Sequence, residues 1–237
     1  MSFCWTDWRQ SGTFIPYNTL QTEERDMTPE ERIAHILPAL EVEYPDADCT
    51  LEERDPWKLL VQVRLAAQCT DERVNKVTPA LFARFPDCAA MAAAPVEEVE
   101  EYIRSCGFYH GKARDLVLQA QQLTEVYGGV VPDSMDELLT LAGVGRKSAN
   151  LILGDVYNVP GAVVVDTHCI RLSNRMGLVD NEKVPEKIER QLRAILPPER
   201  SNNFCHRLVI HGRAVCSARK PACQRCCCAA FCQTFNP

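Results

Sequence analysis

The sequence predicts an all-α protein, and three observations carry that prediction. Between Ala113 and Tyr127 the apolar residues Ala113, Leu116, Val117, Ala120, Leu123 and Tyr127 recur at helical spacing, and Gly128-Gly129 supplies a stop. Helix-start chemistry recurs along the chain, with Thr28-Pro29-Glu30-Glu31 as the clearest case: an N-cap, a first-position proline and acids in the first turn. The strand-like run Val163-Val164-Val165 stands by itself. One short β-branched stretch cannot build a sheet.

In chain order, residues 1–27 show no sustained period and read as a loosely ordered extension. A helix opens at Thr28. Trp57 to Gln68 reads as a buried helix behind Asp55-Pro56, and Cys88 to Ala94 is Ala-rich. Ser134 and Glu137 form a capping-box pair ahead of Leu138-Leu139. Val163–Val165 is expected to lead, extended, into a helix that begins near Asp166 and ends near Gly177. The sequence holds no internal repeat.

A chain of 237 residues can bury a sizeable core as one large domain or two small ones. Hydrophobic and charged contents of 46% and 24% are ordinary for a globular protein. No apolar run approaches the length of a membrane span, and the first residues lack a secretory signal, so the cytoplasm is the expected location. A net charge of −6 argues superficially against a nucleic-acid partner. Its distribution reverses that. Residues 1–60 carry net −8 and residues 61–237 net +2, with no Asp or Glu from Ser201 onward. An acidic front and basic back permit a local anion-binding face. Seven of the thirteen Cys fall between Cys205 and Cys232. With no secretory signal, that crowding reads as metal binding before disulfides. Cys49, Cys69, Cys88, Cys106 and Cys169 are scattered and expected to act mostly as small buried hydrophobes.

The sharpest local feature is Leu138-Leu139-Thr140-Leu141-Ala142-Gly143-Val144-Gly145-Arg146-Lys147-Ser148-Ala149-Asn150. Two helical stretches meet at a turn whose glycines, Gly143 and Gly145, are expected to take positive φ and allow close approach. The second helix then offers free N–H groups to a phosphate. Gly-x-Gly alone reads more readily as an ordinary corner, with glycines for tightness. The full string resembles the helix–hairpin–helix of the endonuclease III family of DNA glycosylases, with Ala142 in place of the usual Pro and Ser148 where Thr is common. On that resemblance Lys147 matches the nucleophile. Val165-Asp166-Thr167-His168 is similar to the family's Val-Asp-Thr-His, so Asp166 would be the carboxylate that deprotonates the amine or stabilises the sugar cation. As a bare residue, Asp166 is an N-cap. His168 would contact phosphate or simply pack.

Leu65-Ala66-Ala67-Gln68-Cys69-Thr70-Asp71 is similar to a family segment in which Gln68 would fill the gap left by a flipped nucleotide. Gly107-Phe108-Tyr109 resembles a family loop and makes Phe108 the candidate wedge; otherwise Phe108 is a core aromatic. The spacing Cys216-x6-Cys223-x2-Cys226-x5-Cys232 is a metal site, open by spacing alone to zinc or an iron–sulfur cubane. Its resemblance to the family's cluster segment implies [4Fe-4S], with Cys226 the ligand in preference to Cys227 and Cys228, and with Arg219 and Lys220 in a basic loop at DNA phosphate. Gly143, Gly145 and Arg146 would also face DNA.

The resemblance covers about Met27 to Cys232. It implies two helical lobes: a six-helix barrel domain with the hairpin (48–160), inserted into a [4Fe-4S] cluster domain (28–47 and 161–237). Double-stranded DNA with damaged bases or abasic sites would lie between them, met by a monomeric bifunctional glycosylase and lyase. The alternatives are a same-fold glycosylase for another lesion and a non-catalytic DNA-binding module.

Overall fold

A computed structural model describes residues 27–235, and among these it contains helices and turns but no strand. The expected N-terminal extension, Met27 apart, lies outside the described residues.

Helix α1 (Pro29–Glu43) starts on the full capping box: Thr28 accepts from the Glu31 N–H, and the Glu31 carboxylate accepts from the Thr28 N–H at 2.8 Å. Helix α2 (Pro56–Ala66) begins at the Asp55 cap and first-position Pro56, and stops short of Gln68. Gln68 lies beyond the helix in a tight turn, at φ 55°. Helices α3 (Asp71–Arg84), α4 (Cys88–Ala92) and α5 (Val96–Ile103) follow. Helix α6 (Tyr109–Tyr127) contains the predicted 113–127 period and ends at left-handed Gly128. Helix α7 (Met135–Leu138) is a single turn. At its start only half of the expected capping box forms: Ser134 accepts from the Glu137 N–H at 3.3 Å. So short a helix leaves the Glu137 side chain little reason to turn back.

Helix α8 (Arg146–Asp155) completes the hairpin. Val163–Val165 is extended without pairing, and α9 (Thr167–Met176) runs from the Asp166 cap to left-handed Gly177. Helices α10 (Pro185–Ile195) and α11 (Ser201–Ala214) precede a C-terminal coil with short 3₁₀ turns.

The buried side chains form two cores. One runs from Leu51 to Ala162, drawing on α2–α8. The other joins Ile33–Leu40 of α1 to residues from Val163 to Cys228. Leu151 of α8 packs against both. The rest of α8 is tied to α10 and α11 by polar groups. Arg146 makes a two-pronged bond to the buried Glu189 at 3.0 and 2.6 Å, Arg193 donates to Asn150 Oδ1 at 3.0 Å, and Asp155 accepts from Asn202 at 2.5 Å. Gly154 lets the Asn202 side chain sit where a Cβ would stand.

The two hairpin glycines are not equivalent. Gly143 has φ +71°, and a Cβ there would lie 2.6 Å from Arg64 Nε, which is fixed by Asp115. Gly145, the α8 N-cap, has φ −107°, ordinary extended backbone, with open space where a Cβ would go. The expected positive φ therefore holds at Gly143 only. Gly143→Ala is expected to lower stability by about 1–3 kcal/mol, read as a reduced midpoint in urea unfolding. Gly145→Ala should leave that midpoint unchanged.

Candidate active site and metal centre

Lys147 sits in the first turn of α8, whose N-cap supplies no side-chain acceptor, so the leading N–H groups face outward. Asp166 caps α9. Both side chains line one cleft of ≈ 320 Å³ with residues from both cores, among them Leu51, Val164 and Cys205. The Asp166 carboxylate is fixed at both oxygens: Oδ1 accepts from the Cys169 N–H at 2.7 Å, and Oδ2 lies 3.1 Å from His168 Nδ1. Capping and facing the cleft are one geometry here, because the cap fixes the direction of the carboxylate.

His168 packs its ring where a Cβ on Gly212 would come within 2.6 Å of Cδ2. Wedged against Gly212 of α11, His168 of α9 holds the Asp166 carboxylate in place. Arg146, expected at DNA, pairs in the free protein with Glu189 of α10. Arg219 and Lys220 lie exposed on the C-terminal coil.

Gln68 and Phe108 occupy adjacent turns. Both are left-handed, at φ 55° and 58°, and a Cβ on Gly107 would sit 3.6 Å from the Gln68 carbonyl. Phe108 is 73% exposed, which excludes the core reading. Beneath the turns, the buried Lys112 donates to the Leu65 carbonyl at 2.7 Å, satisfying an α2 C-terminal acceptor. Burial pushes the Lys112 pKa down. Cys106 meets the Cys69 thiol there, and burial followed by that neighbour raises its pKa to about 11. Sequence reasoning missed Lys112. A lone lysine reads as solvated, and nothing local marks it as a brace.

The C-terminal cysteines form a second site. Cys216, Cys223, Cys226 and Cys232 all line a largely apolar cavity of ≈ 280 Å³, and Cys227 and Cys228 are absent from its walls. Among the described residues, no three of these sulfurs come within 4.8 Å of one another. A tetrahedral zinc with Zn–S near 2.3 Å needs sulfurs about 3.8 Å apart. Four cysteine sulfurs around an apolar cavity are a donor set that fits a thiolate-held metal group. Arg175 Nη1 donates to Cys216 Sγ at 3.3 Å, and His211 Nε2 lies 3.2 Å from Cys226 Sγ. Tyr44 holds the other His211 nitrogen at 2.9 Å. The Cys226 thiol is drawn down to about 4, first by the bond from Cys228 and then by His211, against the opposing effect of burial. Cys228 is fully buried, and its contacts with Cys226 and Cys227 push its thiol far up.

A family model described as "HhH-GPD superfamily base excision DNA repair protein" matches residues 61–198. The chain is similar to "Endonuclease III" of Synechocystis sp. (strain ATCC 27184 / PCC 6803 / Kazusa), at 47% identity over 83% of this chain and 89% of that protein. It is 38% identical to "Endonuclease III" of Escherichia coli (strain K12), covering 81% of this chain and 90% of the relative. The fold superposes on the "Structure of a Trapped Endonuclease III-DNA Covalent Intermediate: Estranged-Adenine Complex" with TM-score 0.83 and 38% identity, covering 88% and 98% of the two chains.

Because Phe108 packs into neither core, Phe108→Ala should change unfolding free energy by less than about 0.5 kcal/mol in urea titrations. A loss well above 1 kcal/mol would return Phe108 to a structural role.

Proposed function

We propose that this chain, which belongs to the endonuclease III family within the HhH-GPD superfamily of base excision DNA repair proteins, removes oxidised pyrimidines through Lys147. Its activity is that of a base-excision DNA glycosylase and AP lyase. The observation that carries the residue assignment is the placement of Lys147 and Asp166 in one cleft.

The neutral Lys147 amine attacks the sugar C1′, and the C1′–N bond to the damaged base breaks. The base leaves with the electron pair of that bond and takes up a proton. Asp166 accepts a proton from Nζ and passes it to O4′ as the sugar ring opens, leaving a protonated imine between Nζ and C1′. The imine acidifies C2′, so loss of a C2′ proton expels the 3′ phosphate and nicks the strand. Asp166 also lies where it can stabilise positive charge developing on the sugar. Gln68 and Phe108 enter the duplex as the nucleotide leaves the stack, offsetting an unstacking cost of a few kcal/mol. Gly145 leaves room for phosphate at the α8 N-terminus. Arg219 and Lys220 extend that contact from the C-terminal coil. Arg146 orients α8 through Glu189, and His168 holds Asp166. The lobes divide at 48–160 against 28–47 and 161–237, and the active species is a monomer on double-stranded DNA with damaged bases or abasic sites.

Cys216, Cys223, Cys226 and Cys232 hold a [4Fe-4S] cluster in this reading. The apolar cavity lined by these four cysteines, and by neither Cys227 nor Cys228, supports this reading. When bound, the cluster would join the four cysteines of the C-terminal coil, beside Arg175 of α9 and His211 of α11, and would supply no atom to the sugar chemistry.

Borohydride added to abasic-site DNA should trap a covalent adduct with the wild-type protein and none with Lys147→Ala; absence of the wild-type adduct overturns the lyase assignment to Lys147. Iron analysis should give close to four atoms per chain for wild type and for Cys227→Ala. Cys226→Ala should lose most of its iron. The reverse pattern would move the ligand to Cys227.

A further inference from the structure

A second group of metal-ligating side chains lies outside the cysteine centre. Asp48, Asp155 and His206 bring their ligand atoms within 4.8 Å of one another, the sole group of three or more His, Cys, Asp or Glu side chains among the described residues to do so. They come from three different parts of the fold: the segment joining α1 to α2, the end of α8, and α11. Asp155 is 3% exposed at its side chain, and its Oδ1 takes bonds from Asn202 at 2.5 Å and His206 Nε2 at 2.8 Å. Its other oxygen, Oδ2, is buried with no hydrogen-bond partner. A buried carboxylate oxygen with no nitrogen or oxygen donor is one that a cation can satisfy. The Cys49 thiol lies against the same carboxylate, and burial followed by the Asp155 charge raises its pKa to about 12.

We propose that Asp48, Asp155 and His206 form a binding site for one divalent first-row cation at the edge of the catalytic cleft. One imidazole with two carboxylates suits ions between the hard and soft extremes, such as Mn²⁺ or Zn²⁺. His206 Nε2 and Asp155 Oδ1, 2.8 Å apart, stand at the separation of neighbouring ligands on one ion, which would sit beside the pair and displace the hydrogen bond between them. Asp48 completes the set from the solvent side. Its Oδ2 is paired with Arg54 Nη2 at 2.8 Å, and Arg54 also donates to the Leu51 and Glu53 carbonyls at 2.6 and 2.9 Å, so the ion competes with that guanidinium for Asp48. The bound ion ties the inter-lobe segment and α11 to the helix that carries Lys147. Asp48 and His206 also line the Lys147 cleft, so the ion would stand within the electrostatic reach of a DNA phosphate.

The test is a titration of the full-length, cluster-loaded protein with Mn²⁺, followed by loss of the free-ion EPR signal. Wild type should show one saturable site per chain and a rise in melting temperature with added Mn²⁺. Asp48→Asn keeps an exposed polar residue on the surface, and its cluster absorbance checks the fold. It should weaken binding by more than about tenfold and abolish the thermal shift; His206→Gln should do the same. A wild-type protein without a saturable Mn²⁺ site, or an affinity unchanged in Asp48→Asn, overturns the proposal.

Discussion

The placement of the whole catalytic apparatus depends on how α8 is held between two cores. Lys147 belongs to a helix rooted in one lobe, and Asp166 caps a helix rooted in the other. Apolar packing at the seam is thin on α8 itself, with Leu151 shared by both cores. Polar contacts set the register: Arg146 on Glu189, Asn150 with Arg193, and Asp155 with Asn202 and His206. Directional bonds are suited to this task. Hydrophobic contact tolerates sliding, whereas a two-pronged guanidinium–carboxylate pair fixes distance and angle together. Glu189 is buried and paired with both Arg146 and Arg193, so sliding α8 would strand a carboxylate away from water.

The same economy governs Asp166. A helix cap and a cleft-facing carboxylate are one side chain, fixed at one oxygen by the Cys169 N–H and at the other by His168. Its rigidity comes from secondary structure that the fold needs anyway. The hairpin glycines divide their labour differently. Gly143 answers an internal demand, a positive φ beside the Arg64–Asp115 pair, while Gly145 has no internal constraint on its missing side chain. Nothing inside the protein requires glycine at Gly145, which points outward for the reason.

Much of this was legible in the sequence. Helix periods, caps and the lone β-branched run gave the all-α architecture, because those signals act over a few residues. The hairpin string singled out Lys147, and the Val-Asp-Thr-His string Asp166. Three features escaped for physical reasons. Lys112 is buried because a carbonyl 47 residues away needs a donor, and no local pattern encodes that. The Arg146–Glu189 pair was not foreseen because Glu189 lies on a different helix, 43 positions on. Equal treatment of Gly143 and Gly145 failed because φ at each depends on what packs behind it, which Gly-x-Gly spacing does not carry.

The left-handed turns at Gln68 and Phe108 have a consequence for how damage is found. Two non-glycine residues already hold an uncommon backbone conformation in the free protein, braced by Lys112 and the meeting of Cys69 with Cys106. The conformational cost of shaping the probe is met during folding and is the same at every base pair visited. What varies along the DNA is then the duplex itself: how weakly a given base is stacked and paired. Under the proposed reading, a stiff probe of this kind would discriminate by the compliance of its target. Intact sequence would be rejected because it does not yield, before any base reaches the lysine.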